Sequence, residues 1–163
     1  MNKSLIIICI FLCSILFPIG TRAQEGDNWV GISTGFQFPS TINANLSLER
    51  ALAYGNAFDL RAEIGNHWQS PACHRFWKGY YWDFGAGYKK RLARYKNSML
   101  RLRFGTHLGA WQQDFFMGCG LSVEYDYVFA SGVKFCFAQV NDFNFFAGDH
   151  FRNGITVGVK FPL

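Results

Sequence analysis

The sequence predicts an all-β fold, eight antiparallel strands closed up and down into a barrel that crosses a bilayer. Three observations carry this. From Asn28 onward the chain repeats one device, about nine to thirteen residues of alternating apolar and polar side chains and then a break, which is the period of a strand with two unlike faces. Glycine gathers on the polar face of these runs, and Asp, Glu, Lys and Arg are absent from the apolar face.

The first run sets Val30, Ile32, Thr34, Phe36 and Phe38 against Trp29, Gly31, Ser33, Gly35 and Gln37, and Pro39-Ser40-Thr41 turns it. The second sets Ile42, Ala44, Leu46 and Leu48 against Asn43, Asn45, Ser47 and Glu49; after Tyr54-Gly55-Asn56 the third sets Phe58, Leu60, Ala62 and Ile64 against Asp59, Arg61, Glu63 and Gly65. A long break from Asn66 to Gly79 follows. The fourth run places Tyr80, Trp82, Phe84, Ala86 and Tyr88 opposite Tyr81, Asp83, Gly85, Gly87 and Lys89, and Arg94 to Asn97 ends it. The fifth has Leu100, Leu102, Phe104, Thr106 and Leu108 against Arg101, Arg103, Gly105, His107 and Gly109; the sixth has Met117, Cys119, Leu121, Val123 and Tyr125 against Gly118, Gly120, Ser122 and Glu124. A weaker seventh, Val133, Phe135 and Phe137 against Gly132, Lys134, Cys136 and Ala138, leads through an expected loop from Asn141 to Asn153 into an eighth, where Ile155, Val157, Val159 and Phe161 oppose Thr156, Gly158 and Lys160. Many short strands with regular turns mean a sandwich or a barrel.

Alternation alone does not say which face points inward; glycine does. Of the 17 glycines, eleven (Gly31, Gly35, Gly65, Gly85, Gly87, Gly105, Gly109, Gly118, Gly120, Gly132 and Gly158) fall on the polar face. On a water-exposed convex surface they would only weaken the strands. Inside an eight-stranded barrel, whose lumen is just wide enough for side chains to fill, they make room for long neighbours. The polar face is therefore read as the interior and the apolar face as the wall against lipid, where a charge costs about 2 to 4 kcal/mol at the midplane. Phe36, Phe38, Tyr80, Trp82, Tyr88, Trp111, Phe115, Tyr125 and Phe161 collect toward run ends, where interfacial girdles sit.

Bulk properties agree. The chain has 163 residues, room for one domain, and only 17% of them are charged, against about 25% in an ordinary soluble domain. Lys3, an apolar run from Leu5 to Phe17, then Thr21-Arg22-Ala23 before Gln24 describe a secretory signal peptide, too short to span a bilayer. Cleavage after Ala23 divides the chain into a signal peptide, residues 1–23, and a barrel domain, residues 24–163. It leaves 14 basic and 11 acidic side chains, without the basic grooves that nucleic acid requires. Cys73, Cys119 and Cys136 remain, an odd number with no CxxC spacing, so neither a disulfide framework nor a zinc site is expected. By parity Cys119 faces lipid and Cys136 the lumen.

The last ten residues carry a resemblance. Thr156, Gly158, Phe161 and Leu163 fit the pattern, polar, x, Gly, x, x, apolar, x, apolar, that insertion machinery reads on the terminal strand of outer-membrane β-barrel proteins of Gram-negative bacteria. With the whole mature pattern, the chain resembles the small OmpA- and OmpX-like barrels, most of all the short exported barrels of Bacteroidetes. A fainter likeness, over Phe116 to Leu163, is to the barrel component of their conjugative-transposon transfer systems. The resemblance implies outer-membrane localisation. The partners it implies are outer-membrane lipid and lipopolysaccharide, the barrel insertion machinery, and a surface or transfer-apparatus protein. No cofactor, metal or nucleic acid is expected.

Two sets of residues are candidates for function. The first is the inward charges: Glu49, Asp59, Glu63, Asp83 and Glu124 against Arg61, Lys89, Arg101, Arg103, Lys134 and Lys160. Buried charges must be paired, so these are expected to form an ion-pair network that plugs the lumen; a narrow anion-selective channel at Arg101 and Arg103 is the sharper alternative. The second set lies on the breaks expected to face outward, Asn66 to Gly79 and Asn141 to Asn153. The first break holds His67, Trp68, His74, Arg75, Phe76, Trp77 and Lys78, basic and aromatic side chains together, suited to phosphorylated lipid headgroups, a partner protein, or an extension of the aromatic girdle. No catalytic set is expected. Small outer-membrane lipid A deacylases pair His with Ser two positions later near the C-terminal strand, whereas here His150 is followed by Phe151 and Arg152, and His107 has no serine closer than Ser98.

Overall fold

The computed structural model describes residues 28–38, 41–67, 79–111, 114–145 and 150–163. The expected signal peptide lies outside them. Eight strands follow in chain order: β1 (Asn28–Phe38), β2 (Thr41–Ala51), β3 (Ala57–His67), β4 (Tyr80–Tyr95), β5 (Ser98–Trp111), β6 (Asp114–Val128), β7 (Lys134–Phe145) and β8 (Phe151–Pro162). Each pairs antiparallel with the next and β1 pairs with β8, so the sheet closes into a barrel without an edge. Among the described residues no helix is long and apolar enough to cross a membrane; a closed sheet, in which every strand has a neighbour on both sides, is the other arrangement that a bilayer admits.

The stagger of the barrel follows from the register. A row of paired residues leaves β8 at Pro162 and passes through Trp29, Glu49, Asp59, Gly87, Gly105, Gly120 and Asp142. It returns to β8 at Arg152, ten residues from where it began. That shear sets the tilt and with it the bore. Every member of the row after Pro162 lies on the inner face.

Side chains divide as the alternation requires. On β1, Ile32 and Phe38 are 58% and 69% exposed while Gln37 is fully buried, and the same inversion, apolar out and polar in, runs round the barrel. Glycines on the inner face lie against long side chains. A Cβ on Gly87 would stand 2.8 Å from the Arg103 guanidinium carbon, and one on Gly105 2.7 Å from Arg103 Nη1 and 2.8 Å from the Ala86 carbonyl oxygen. Gly132 departs from the expectation: it sits in the turn before β7 at φ 83°, where its lack of a Cβ serves the backbone. Gly154, buried on β8, takes its place among the inward glycines.

The largest correction concerns the expected loop from Asn141 to Asn153. β7 runs on to Phe145 and β8 begins at Phe151, with Asn141 paired to Asn153 in the ladder. Its two described ends are sheet, and their inward positions, Asp142, Asn144 and Arg152, find partners in the lumen. Smaller corrections follow the same pattern. β3 holds Asn66 and His67, and β4 holds Arg94 and Tyr95 beyond an irregularity at Leu92. Val133 precedes β7 instead of starting it. Trp111 shares parity with His107 and Gly109, so it belongs to the inner face and not to the outer girdle.

Candidate functional site

The inner face is where this sequence concentrates its chemistry. Seven acids (Glu49, Asp59, Glu63, Asp83, Glu124, Asp126, Asp142) and seven bases (Arg61, Lys89, Arg101, Arg103, Lys134, Arg152, Lys160) point into the barrel. All are buried except Arg61, whose side chain is 11% exposed. The eleven charges singled out from sequence are all there. Asp126, Asp142 and Arg152 complete the set; sequence reading stopped the sixth run at Tyr125 and placed the other two in a loop.

Toward the end that carries the described termini, Glu49 is the hub. It accepts hydrogen bonds from Lys160 at 2.7 Å, Arg101 at 2.8 Å, Lys89 at 2.9 Å and Lys134 at 3.3 Å. Glu124 receives Lys89, Arg101 and Lys160, each at 2.8 Å; Asp126 receives Arg101 and, at 3.3 Å, Lys160. The Lys134 ammonium also lies 3.0 Å from the centre of the Trp29 ring, a cation–π contact. One level further in, Arg103 Nε bonds both Asp59 oxygens at 3.0 Å.

Toward the opposite end the contacts are longer. Arg61 stands 3.7 Å from Glu63 and 4.0 Å from both Asp83 and Asp142. Glu63 accepts hydrogen bonds from the Tyr81 hydroxyl and from Asn43 at 3.0 Å. The Arg152 guanidinium lies over the Tyr81 ring, 4.5 Å from its centre, and donates to Asn144 at 3.3 Å. His107 Nε2 is 2.7 Å from Asn144 Oδ1, and His150, exposed, has Nδ1 3.3 Å from the Asn144 carbonyl oxygen.

Register exposes a rule in this layout. Residues facing each other on adjacent strands are often of like charge: Glu49 with Asp59, Glu63 with Asp83, Lys89 with Arg103, Lys134 with Lys160. Such neighbours repel in a sheet. Much of the compensating charge comes from strands that are not neighbours, as when Glu49 on β2 receives cations from β4, β5, β7 and β8. Among these side chains lies a cavity of about 60 Å³ whose lining includes Ser33, Asn45, Asp59, Arg61, Arg103 and Ser122, room for a few waters.

Other expected site residues lie apart from the lumen network. Trp68, His74, Arg75, Phe76, Trp77 and Lys78 fall outside the described residues, and His67 ends β3. Thr156 and Gly158 face inward on β8 and Phe161 outward; Leu163 follows the strand and donates its backbone N–H to the Asn28 carbonyl at 2.8 Å. Cys119 is exposed on the outer wall and Cys136 buried inside. One feature of the outer wall was not foreseen. Gln139, Asn141 and Asn153 face outward, Gln139 and Asn153 donating to Asn141 Oδ1 at 3.0 Å and 2.6 Å, while Asn141 donates to the Leu121 carbonyl at 3.4 Å.

No family model matches the chain, and no curated protein does. Solved structures match at the level of fold. Neisserial surface protein A shares 10% identity, with 85% of this chain and 96% of that one covered and a TM-score of 0.55. The outer membrane enzyme PagL shares 11%, covering 83% and 99%, at 0.54. A de novo designed transmembrane β-barrel shares 8%, covering 88% and 100%, at 0.52. At these identities the likeness is one of fold: this chain has the architecture of the small transmembrane β-barrels.

Proposed function

We propose that the chain is an outer-membrane β-barrel with a sealed, charge-paired lumen, acting non-enzymatically as a structural or surface-binding protein through the connection between β3 and β4. The observation that carries this reading is the lumen itself. Fourteen buried or nearly buried charges cross its interior in a set of ion pairs running from Glu49 to Asp142, which leaves no charge free to line a water-filled passage. With the β7–β8 connection shortened, the stretch between His67 and Tyr80 is the one long connection at the end opposite the described termini. Basic and aromatic residues dominate it, Trp68, His74, Arg75, Phe76, Trp77 and Lys78, a chemistry suited to phosphorylated lipid headgroups such as those of lipopolysaccharide. Membership among the OmpA- and OmpX-like barrels of Bacteroidetes, and the role of Thr156, Gly158, Phe161 and Leu163 as an insertion signal, belong to the same proposal and rest on the sequence pattern.

The test has two arms. In planar bilayers the inserted protein is expected to leave conductance at the level of the bare membrane, and discrete channel openings would refute the sealed lumen. Replacing residues 68–78 by a short Gly-Ser turn is expected to keep the heat-dependent gel shift of a folded barrel while abolishing binding to lipopolysaccharide. Unchanged binding would refute the role of the loop.

A further inference from the structure

The seven acids and seven bases of the lumen cancel, so the basic surplus of the chain lies outside it. Five cations stand at the end of the barrel that carries the described termini: Arg50 at the close of β2, Lys90, Arg91 and Arg94 on β4, and Lys96 in the turn to β5. None has a carboxylate partner among the described residues. Glu25 and Asp27, which precede β1 in sequence, lie outside those residues and are fewer than the cations.

Position gives the cluster its meaning. β4 pairs with β3 only as far as Lys89, so the β4–β5 hairpin beyond it projects past the neighbouring strand. Arg50 and Lys90 follow the inward Glu49 and Lys89 and therefore face outward, at the border of the apolar wall. Exposed apolar groups stand among the cations, Tyr54 at 75%, Leu92 at 52% and Tyr95 at 72%. Cations on flexible stems beside aromatic rings, at the edge of a bilayer-facing wall, match the level where lipid phosphates lie. We infer that this rim is a docking surface for anionic phospholipid headgroups, with Arg50, Lys90 and Lys96 holding the phosphates of the leaflet at that end. The inference rests on the reading of the outer wall as bilayer-facing and is independent of the loop proposed above. Charge complementarity selects an anionic partner, and continuity with the apolar wall selects lipid over an acidic protein.

The experiment refolds the mature chain into vesicles of phosphatidylcholine alone and of phosphatidylcholine mixed with phosphatidylglycerol, then reads the lipids that stay bound by native mass spectrometry. Wild type is expected to enrich phosphatidylglycerol on the order of tenfold, and the R50Q/K90Q/K96Q variant to lose that preference. The charge-conserving R50K/K90R/K96R variant is expected to keep it. Equal retention of the two lipids by wild type, or an undiminished preference in the glutamine variant, overturns the inference, the former leaving an acidic protein as the rim's partner. The heat-dependent gel shift in the same vesicles separates the two readings: if wild type fails to insert into either, the bilayer-facing wall falls as well.

Discussion

Replacing Glu49 by Gln tests the lumen network at its hub. The Glu49 carboxylate meets four cations within 3.3 Å and its residue is only 2% exposed. Its cluster sets Glu49, Glu124 and Asp126 against Lys89, Arg101, Lys134 and Lys160. Glutamine keeps the shape and removes the charge, leaving two carboxylates for four cations in a water-poor lumen. Breaking a buried pair from one side costs about 3 to 5 kcal/mol, a shift of about 2 M in the urea midpoint for a chain of this size. The assay follows the heat-modifiable folded band in phospholipid vesicles against urea, approached from both the folded and the unfolded side. Lys134 supplies the control, because its carboxylate partner is Glu49. The E49Q/K134M double variant restores the original surplus of one cation and is expected to recover at least half of the loss. A midpoint moved by less than about 0.3 M in E49Q, or a double variant no better than the single, would refute the hub.

Gly105→Val is expected to lower stability by about 1 to 3 kcal/mol, since its Cβ would press on the Ala86 carbonyl oxygen at 2.8 Å and on Arg103; a neutral result in the same urea titration would show that the bore has slack. On the outer wall, Asn141→Leu strands the amides of Gln139 and Asn153 against hydrocarbon, at about 1 to 2 kcal/mol. Replacing all three by Leu removes donors and acceptors together and is expected to recover the loss, so a triple variant less stable than the single would show that the amides serve something other than each other.

The fold was legible because a barrel repeats one rule: alternation divides each strand into two faces, and the glycines say which of them points inward. Where polar residues occupied both faces, the rule failed. Around Asn141, Asp142 and Asn144 the outward amide of Asn141 made a strand look like a loop, and this hid two lumen charges, Asp142 and Arg152. Asp126 was lost for another reason: Tyr125 read as the girdle closing its run, although β6 continues to Val128. That the lumen is charged was readable. The partners were not, since the contact between Glu49 and Lys160 joins residues 111 apart and depends on the shear, which no single strand encodes.

The like charges that face one another across adjacent strands bear on how such a barrel can assemble. An open ribbon already holds part of the relief: Lys89 and Arg103 reach Glu49 and Asp59 across one intervening strand, Lys160 reaches Glu124 in the same way, and Arg101 faces Glu124 directly. What the ribbon lacks is the contact of Glu49 with Lys134 and Lys160, which forms only when β8 comes round to β1. The last seam to zip therefore joins two halves of one charge cluster, an acid waiting on β2 and two cations waiting on β7 and β8. The ends of the chain are drawn together by the same side chains that fill the finished bore.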